Sequence, residues 1–264
     1  MTSSAPSELF RMGRPACPLC SPFKFVHEAQ DRAAAVDSVV ALRKETQTIP
    51  IVSPALADAI HLGLIASEAR PAGNVTGIEP YVAGLPAKQM ELAREIVPRA
   101  SNVGVLTNLQ DPKAPPQARE LEAAARALQV KIVSSDVSRP DGIESAFEVL
   151  VSRRVDVVIV LQTSMLVGKT RQIAETATAK RLPTVYGYRD HVIAGGLVSY
   201  GVDLRWCFHR AAYFVDKILR GAAPGNLPVE FPTKMVLAVN IKTANALGLE
   251  VPPTLLARAD EVIE

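Results

Sequence analysis

Val155-Asp156-Val157-Val158-Ile159-Val160-Leu161 is the stretch whose reading decides the fold. Six of its seven residues are apolar and five of those are β-branched. A continuous run of this kind suits a strand buried on both faces of a parallel sheet. The polar turn Gln162-Thr163-Ser164 follows, and then an amphipathic helix is predicted from Gly168 to Arg181, with Ile173, Ala174 and Ala177 on one side. The chain returns through Leu182-Pro183-Thr184-Val185-Tyr186 as a second strand. Strand, helix and strand over roughly 30 residues make a βαβ unit. In open sheets of this type ligands lie outside the carboxyl ends of the strands, which puts Gln162, Thr163, Ser164 and Tyr188 at the mouth of a candidate site.

Upstream, the same alternation begins at Asn102. Strands are predicted at 103–108 and 130–133 and helices at 113–128 and 142–153, the last capped by Asp141. From Asn102 to Tyr186 the pattern is β-α-β-α-β-α-β, an α/β doubly wound parallel sheet. Earlier still come a helix through Asp37–Lys44, a strand at 48–53, a short helix around Ile60–Glu68, a strand at 74–78 and a helix at 86–97 closed by Pro98. Downstream, a strand at 197–200 leads into a long helix, Leu204–Leu219. A strand at 235–239, a helix at 242–247 and a terminal turn after Pro252-Pro253 complete the chain.

With 264 residues the chain can form one large or two small domains. A net charge of +2 does not select nucleic acid as a partner, and the basic pairs Arg153-Arg154 and Lys180-Arg181 read as solvated helix ends. No apolar run approaches the ~20 residues of a membrane span. Residues 1–34 are rich in Ser, Pro and Arg, without period, and read as a poorly ordered tail. They lack the apolar core of about 7–15 residues that a signal peptide needs. Cys17 and Cys20 form a C-x-x-C beside His27, but Pro15, Pro18 and Pro22 crowd the segment. Neither a zinc site nor a redox motif is expected, and no cofactor is. Gly168-Lys169-Thr170 resembles the end of a phosphate loop, yet the glycine required five residues earlier is Thr163. The four histidines lie in no H-E-x-x-H or serine-elbow context. Asn74-Val75-Thr76 is formally a glycosylation sequon and reads as a turn asparagine.

Several long motifs occur in an order that resembles one family. They are Thr48-Ile49-Pro50-Ile51-Val52, Arg70-Pro71-Ala72-Gly73-Asn74-Val75-Thr76-Gly77, Ala194-Gly195-Gly196-Leu197-Val198-Ser199-Tyr200-Gly201, and the ending from Lys242-Thr243-Ala244-Asn245 through Pro252-Pro253 to Val262-Ile263. Together they resemble the bacterial ABC-transporter substrate-binding proteins, in the branch that includes tryptophan- and other aromatic-amino-acid-type components. The resemblance implies a two-lobed, type I periplasmic-binding-protein fold that closes on a small-molecule ligand by a hinge, and ABC permease subunits as the membrane partner. It also implies lobes of residues 35–98 plus 196–222 and of 99–195 plus 223–264, with strand 197–200 and its long helix returning to the first. The family's signal sequence and opening β-α-β-α are not matched, so the first lobe is expected to be incomplete and its ligand site weakened. Location is periplasmic by resemblance, and cytoplasmic if the chain starts as written.

For a binding protein of this form, strand ends select the ligand-contacting candidates. Ser53 and Asp58 follow a strand of the first lobe. Asn108 and Gln162, Thr163 and Ser164 follow strands of the second, Tyr188 and Arg189 follow another, and Tyr200 and Asp203 flank the return crossing. An amino-acid-like solute needs an anion partner, an amine partner and an aromatic wall. Arg189 would meet a carboxylate, Asp58 or Asp203 an ammonium, and Tyr188 or Tyr200 would stack on a side chain. Two classes of function stand side by side. One is a solute-binding transporter component without chemistry, and the other a cytoplasmic sensor, an α/β enzyme or a truncated remnant on the same fold.

Overall fold

The computed structural model describes residues 36–264; the predicted tail, the Cys17–Cys20 pair and His27 lie outside them. In chain order the elements are α1 (Val36–Glu45), β1 (Ile51–Ser53), β2 (Val75–Gly77), α2 (Leu85–Ile96), β3 (Asn102–Thr107), α3 (Ala114–Leu128), β4 (Lys131–Asp136) and α4 (Ile143–Ser152). They continue as β5 (Val157–Val160), α5 (Ser164–Val167), α6 (Thr170–Ala179), β6 (Thr184–Tyr186), α7 (Arg189–Ile193), β7 (Val198–Val202), α8 (Leu204–Leu219), β8 (Met235–Asn240), α9 (Ile241–Leu247), α10 (Pro253–Leu256) and β9 (Glu261–Ile263).

Among the described residues the strands form two sheets. The larger has seven strands in the order β4-β3-β5-β6-β7-β8-β9, parallel except where β7 meets β8. Its centre is the hydrophobic run read first. Val157 and Ile159 point into the cluster that holds Met90, Leu92, Leu121 and Val103, whereas Val158 and Val160 point into the cluster that holds Phe147, Leu150 and Ile173. Alternate residues of one strand thus fill cores on opposite faces, which is why the sequence there shows no polar alternation. The strand proper begins at Val157, because Asp156 turns its carboxylate onto the backbone N–H groups of Ser101 and Asn102, each at 2.8 Å.

The smaller sheet pairs β1 with β2 in parallel, and Glu230 adds a bridge to Ile78 beyond it. Val39, Ile51, Leu56, Leu64, Val75 and Val229 form one core of this first lobe. α8 closes another with Ile78, Val202, Phe214, Ile218 and Leu227. Asn74 is buried and donates to the carbonyls of Thr46 (3.2 Å) and Ile49 (2.7 Å), so it is the turn asparagine expected.

Several local expectations are corrected. Ile60–Glu68 is not a helix: a single turn closes with Leu64 N–H on Ala59 O, and Gly63, at φ 66, ends it in the left-handed region. The helix predicted from Gly168 to Arg181 is two helices, α5 and α6, broken at Gly168-Lys169. Asp141 does not cap α4 through its side chain, and its carboxylate meets Arg139 at 3.2 Å instead. The terminal turn is a short helix followed by an edge strand, β9. Strand 197–200 does not go back to the first lobe. It is part of β7, hydrogen-bonded between β6 and β8 in the large sheet, and only α8 beyond it reaches β1 and β2. α2, expected with the first lobe, packs on α3, β5, β6 and β7. Residues 225–230 bond to Ala72, Thr76, Gly77 and Glu68 of the first lobe. The crossings between lobes therefore run near 79–84, 202–204 and 230–235.

His191 on α7 is buried and stacks on Tyr186, with ring centroids 4.6 Å apart, and neither ring nitrogen makes a well-formed hydrogen bond. Burial lowers its pKa to about 4. The folded state thus favours the neutral ring, so its contribution to stability is complete above the unfolded pKa near 6.5 and is lost as pH falls through 4. Melting between pH 7 and pH 4 is expected to show an acid limb worth on the order of 3 kcal/mol from this residue. His191→Phe, which keeps the ring stack, should flatten that limb; an unchanged limb would assign it elsewhere.

Candidate functional site

Segments that follow strands of both lobes meet in one place, where Ile78 after β2 and Tyr188 after β6 share an apolar cluster. From the second lobe come the turn after β3 and the turn after β5, which are knitted together. Asp111 accepts the Ser164 backbone N–H at 2.7 Å and that of Lys113 at 2.9 Å. Lys113 Nζ reaches Ser164 Oγ at 3.4 Å. Gln117 Oε1 accepts the Gln162 backbone N–H at 2.9 Å, while its Nε2 donates to Lys113 O at 2.8 Å. Asn108 closes the turn by accepting Gln110 N–H at 3.0 Å. The result is a rigid polar floor built from short-range turns and one long-range glutamine.

Gln162 lies flat across that floor. Its Nε2 donates to Gly187 O at 3.2 Å, and the space it needs exists because residues 187 and 201 are glycines. A Cβ at Gly187 would fall 2.1 Å from Gln162 Cγ, and one at Gly201 would fall 1.9 Å from Gly187 O. Gln162 Oε1 and Thr163 Oγ1 are buried without a hydrogen-bond partner in the chain. Buried polar atoms in this condition are uncommon in folded proteins. Tyr188 is buried beside this floor, packed with Val202, Cys207 and Phe214, and burial raises its pKa. Cys207 is a buried free thiol pushed up to about 12, which keeps it protonated and unreactive at neutral pH.

The first lobe contributes Ser53, Asp58 and Glu79. Ser53 is buried, and its hydroxyl accepts Ala55 N–H at 3.2 Å. Asp58 is exposed, with a left-handed backbone, on the loop after β1. Glu79 follows β2. Burial raises its carboxyl pKa to about 8 against the pull of Lys113, and Asp58 and Glu68 raise it further. Tyr81 and Gly84 fasten the same crossing to α3: the Tyr81 hydroxyl donates to Glu120 Oε1 at 2.5 Å, and Gly84 N–H to Oε2 at 2.8 Å.

Of the candidates read from sequence, Ser53 ends β1, Ser164 opens α5 after β5, and Asp58, Asn108, Gln162, Thr163 and Tyr188 lie in the segments that follow strands. Three others are occupied by the fold itself. Arg189 forms a two-pronged ion pair with Glu261 of β9, at 2.6 and 2.7 Å, which holds that carboxyl below its usual range. Tyr200 packs against the cluster under α2, and its carbonyl accepts Gln89 Nε2 at 2.9 Å. Asp203 caps α8 by accepting Arg205 N–H at 2.9 Å. Sequence reading passed over Glu79, Lys113 and Gln117. The strand-end rule, applied to β2 as it was to β1, would have found Glu79. Nothing local marks Gln117, whose partner is 45 residues away.

Among the described residues no three His, Cys, Asp or Glu side chains are placed to hold a metal ion, and no helix is long and apolar enough to cross a membrane.

Residues 23–263 match the family model described as ABC transporter substrate binding protein. A curated relative, the tyrosine-binding protein of Clostridioides difficile (strain R20291), is 26% identical over 229 residues, covering 86% of this chain. The chain spans 66% of that relative's length. A conserved domain protein from Vibrio cholerae O1 biovar El Tor superposes with a TM-score of 0.79 at 27% identity, over 86% of this chain and 76% of the other. An ABC domain from Streptococcus pneumoniae in complex with L-Trp gives the same TM-score of 0.79 at 24% identity, over 87% and 77%.

Proposed function

This chain belongs to the ABC transporter substrate-binding protein family, and from that premise we propose that it captures an aromatic amino acid or a close analogue between its lobes and passes it to a membrane permease, without chemical change. The observation that carries this reading is the floor formed by Gln162, Thr163, Ser164 and Lys113. Strand ends of the second lobe hold fixed polar groups there, two of them buried and unpartnered in the chain. Such a site fits a small polar solute by hydrogen bonds. The relative that binds tyrosine and the structure that holds L-Trp support the aromatic class. A permease partner and a location outside the cytoplasmic membrane follow from the same family role.

Thermal melting with L-tyrosine, L-tryptophan, L-phenylalanine, L-leucine and L-glutamate tests it. A ligand that binds only the folded state raises the midpoint, by about 2.7 kcal/mol of stability at a hundredfold excess over Kd. The expected result is a shift with an aromatic amino acid and none with L-glutamate. A midpoint that none of the five moves would overturn the reading.

A further inference from the structure

We propose that one flank of α8, where Trp206, Arg210, Tyr213 and Lys217 stand in a row, lies against an anionic lipid surface. This goes beyond the solute-binding reading and does not depend on it.

The buried side of α8 consists of Cys207, Ala211, Phe214 and Ile218, packed on the first-lobe core. Trp206, Arg210, Tyr213 and Lys217 recur at i, i+4, i+7 and i+11, so they share a different line along the helix. At 1.5 Å per residue that line is about 16 Å long. Aromatic and cationic side chains alternate along it. The Arg210 guanidinium carbon stands 3.9 Å from the centre of the Tyr213 ring, and Lys217 Nζ stands 4.9 Å from it, so cation–π contacts hold the row together. Among the described residues four large aromatic side chains are exposed, and all gather here. Trp206 (40%) and Tyr213 (38%) belong to the row, Phe208 is on the same helix, and Phe231 follows Glu230, whose carboxylate Arg210 binds through two nitrogens.

Charge gathers at the same place. From Leu204 to its C-cap at Arg220 the helix carries Arg205, Arg210, Lys217 and Arg220 against Asp216. With Glu230 included the local balance is +2, the net charge of the whole chain. Arg220 meets Asp216 at 2.9 Å in a pair whose side chains are 78% and 55% exposed, an association too weak to withhold it from another anion. Tryptophan and tyrosine beside lysine and arginine suit the boundary of a bilayer, where rings settle at headgroup depth and cations meet lipid phosphates. A helix flank is convex, and a fluid headgroup layer moulds to it without the matching groove that a folded partner would have to supply.

Trp206 is the chain's one tryptophan, so its emission reports this flank alone. The full chain is titrated at low salt with vesicles of phosphatidylcholine, and with vesicles in which about one-third of the lipid is phosphatidylglycerol. A blue shift and quenching by acyl-brominated lipid are expected with the anionic vesicles, at an affinity at least about tenfold above that for the neutral ones. Most of that difference should vanish at about 0.5 M salt. Lys217→Glu combined with Arg220→Glu should keep the melting temperature and lose at least about tenfold in binding to anionic vesicles. Arg153→Glu combined with Arg171→Glu makes the same change in net charge at exposed positions of the second lobe and should leave binding intact. Absence of binding, equal binding to both vesicles, binding that the first pair of substitutions leaves intact, or an equal loss with the second pair would overturn the proposal. So would a lipid-free dimer, seen by sedimentation equilibrium and broken by the first pair, which would give the flank to a second copy of the chain.

Discussion

Replacing Gly201 by alanine is expected to cost about 3 kcal/mol or more and to abolish solute capture. The new Cβ would lie 1.9 Å from Gly187 O and 2.9 Å from Gly187 C. Both contacts are with backbone, so no side chain can swing away, and β6 and β7 must part where their ends carry the site. The carbonyl struck is the one that accepts Gln162 Nε2, so the displacement falls on the polar floor itself. Gly142→Ala is the matched control. Its Cβ meets only Val137 Cγ1 at 3.7 Å, its backbone is already at φ −82, and its effect should stay within about 0.5 kcal/mol. Urea unfolding of the two variants beside the parent measures the difference. Equal midpoints for Gly201→Ala and Gly142→Ala would mean that the close approach of the two strands is not maintained in solution.

Phe214→Ala should lower stability by about 3–5 kcal/mol, the range for deleting a buried aromatic ring, and the loss should fall unevenly on the two lobes. Phe214 is 2% exposed and lies in the cluster that ties α8 to Ile78 and Leu227 of the first lobe and to Tyr188 and Val202 near the crossing. Among the described residues the first lobe has a two-stranded sheet with one added bridge, whereas the second has a seven-stranded sheet with an apolar core on each face. A cavity under α8 therefore removes a large share of what holds the smaller lobe and little of what holds the larger. Calorimetry should show one transition split into two, and hydrogen exchange should find β1 and β2 opening before β3 and β5. A single transition, shifted whole, would show that the lobes unfold as one unit.

The sequence by itself determined the layered α/β architecture and its central strand. β-Branched runs with no polar alternation bury on both faces, and that signal is local, so 157–160, 102–107 and the helices between them were legible without tertiary information. Helix Leu204–Leu219 was legible to the residue, because its apolar period is local, whereas Asp203, read as a ligand contact, is its cap. The motifs from Thr48 to Gly77 and from Ala194 to Gly201 carried the family in the same way. Only the tertiary structure decided which candidate side chains the fold itself engages. Arg189 looked suited to a carboxylate and has one, but it belongs to Glu261, 72 residues away on an edge strand that the sequence did not announce. Tyr200 follows the alternation of β7 into the core under α2, and strand 197–200 stayed in the large sheet because its backbone groups pair with β6 and β8. Glu79 carries no motif. Its raised pKa arises from burial, against the pull of Lys113 and with a further push from Asp58 and Glu68, which no window of sequence contains. Period and propensity act over a few residues and can be read from them, whereas desolvation and ion pairing sum over whatever the fold brings together.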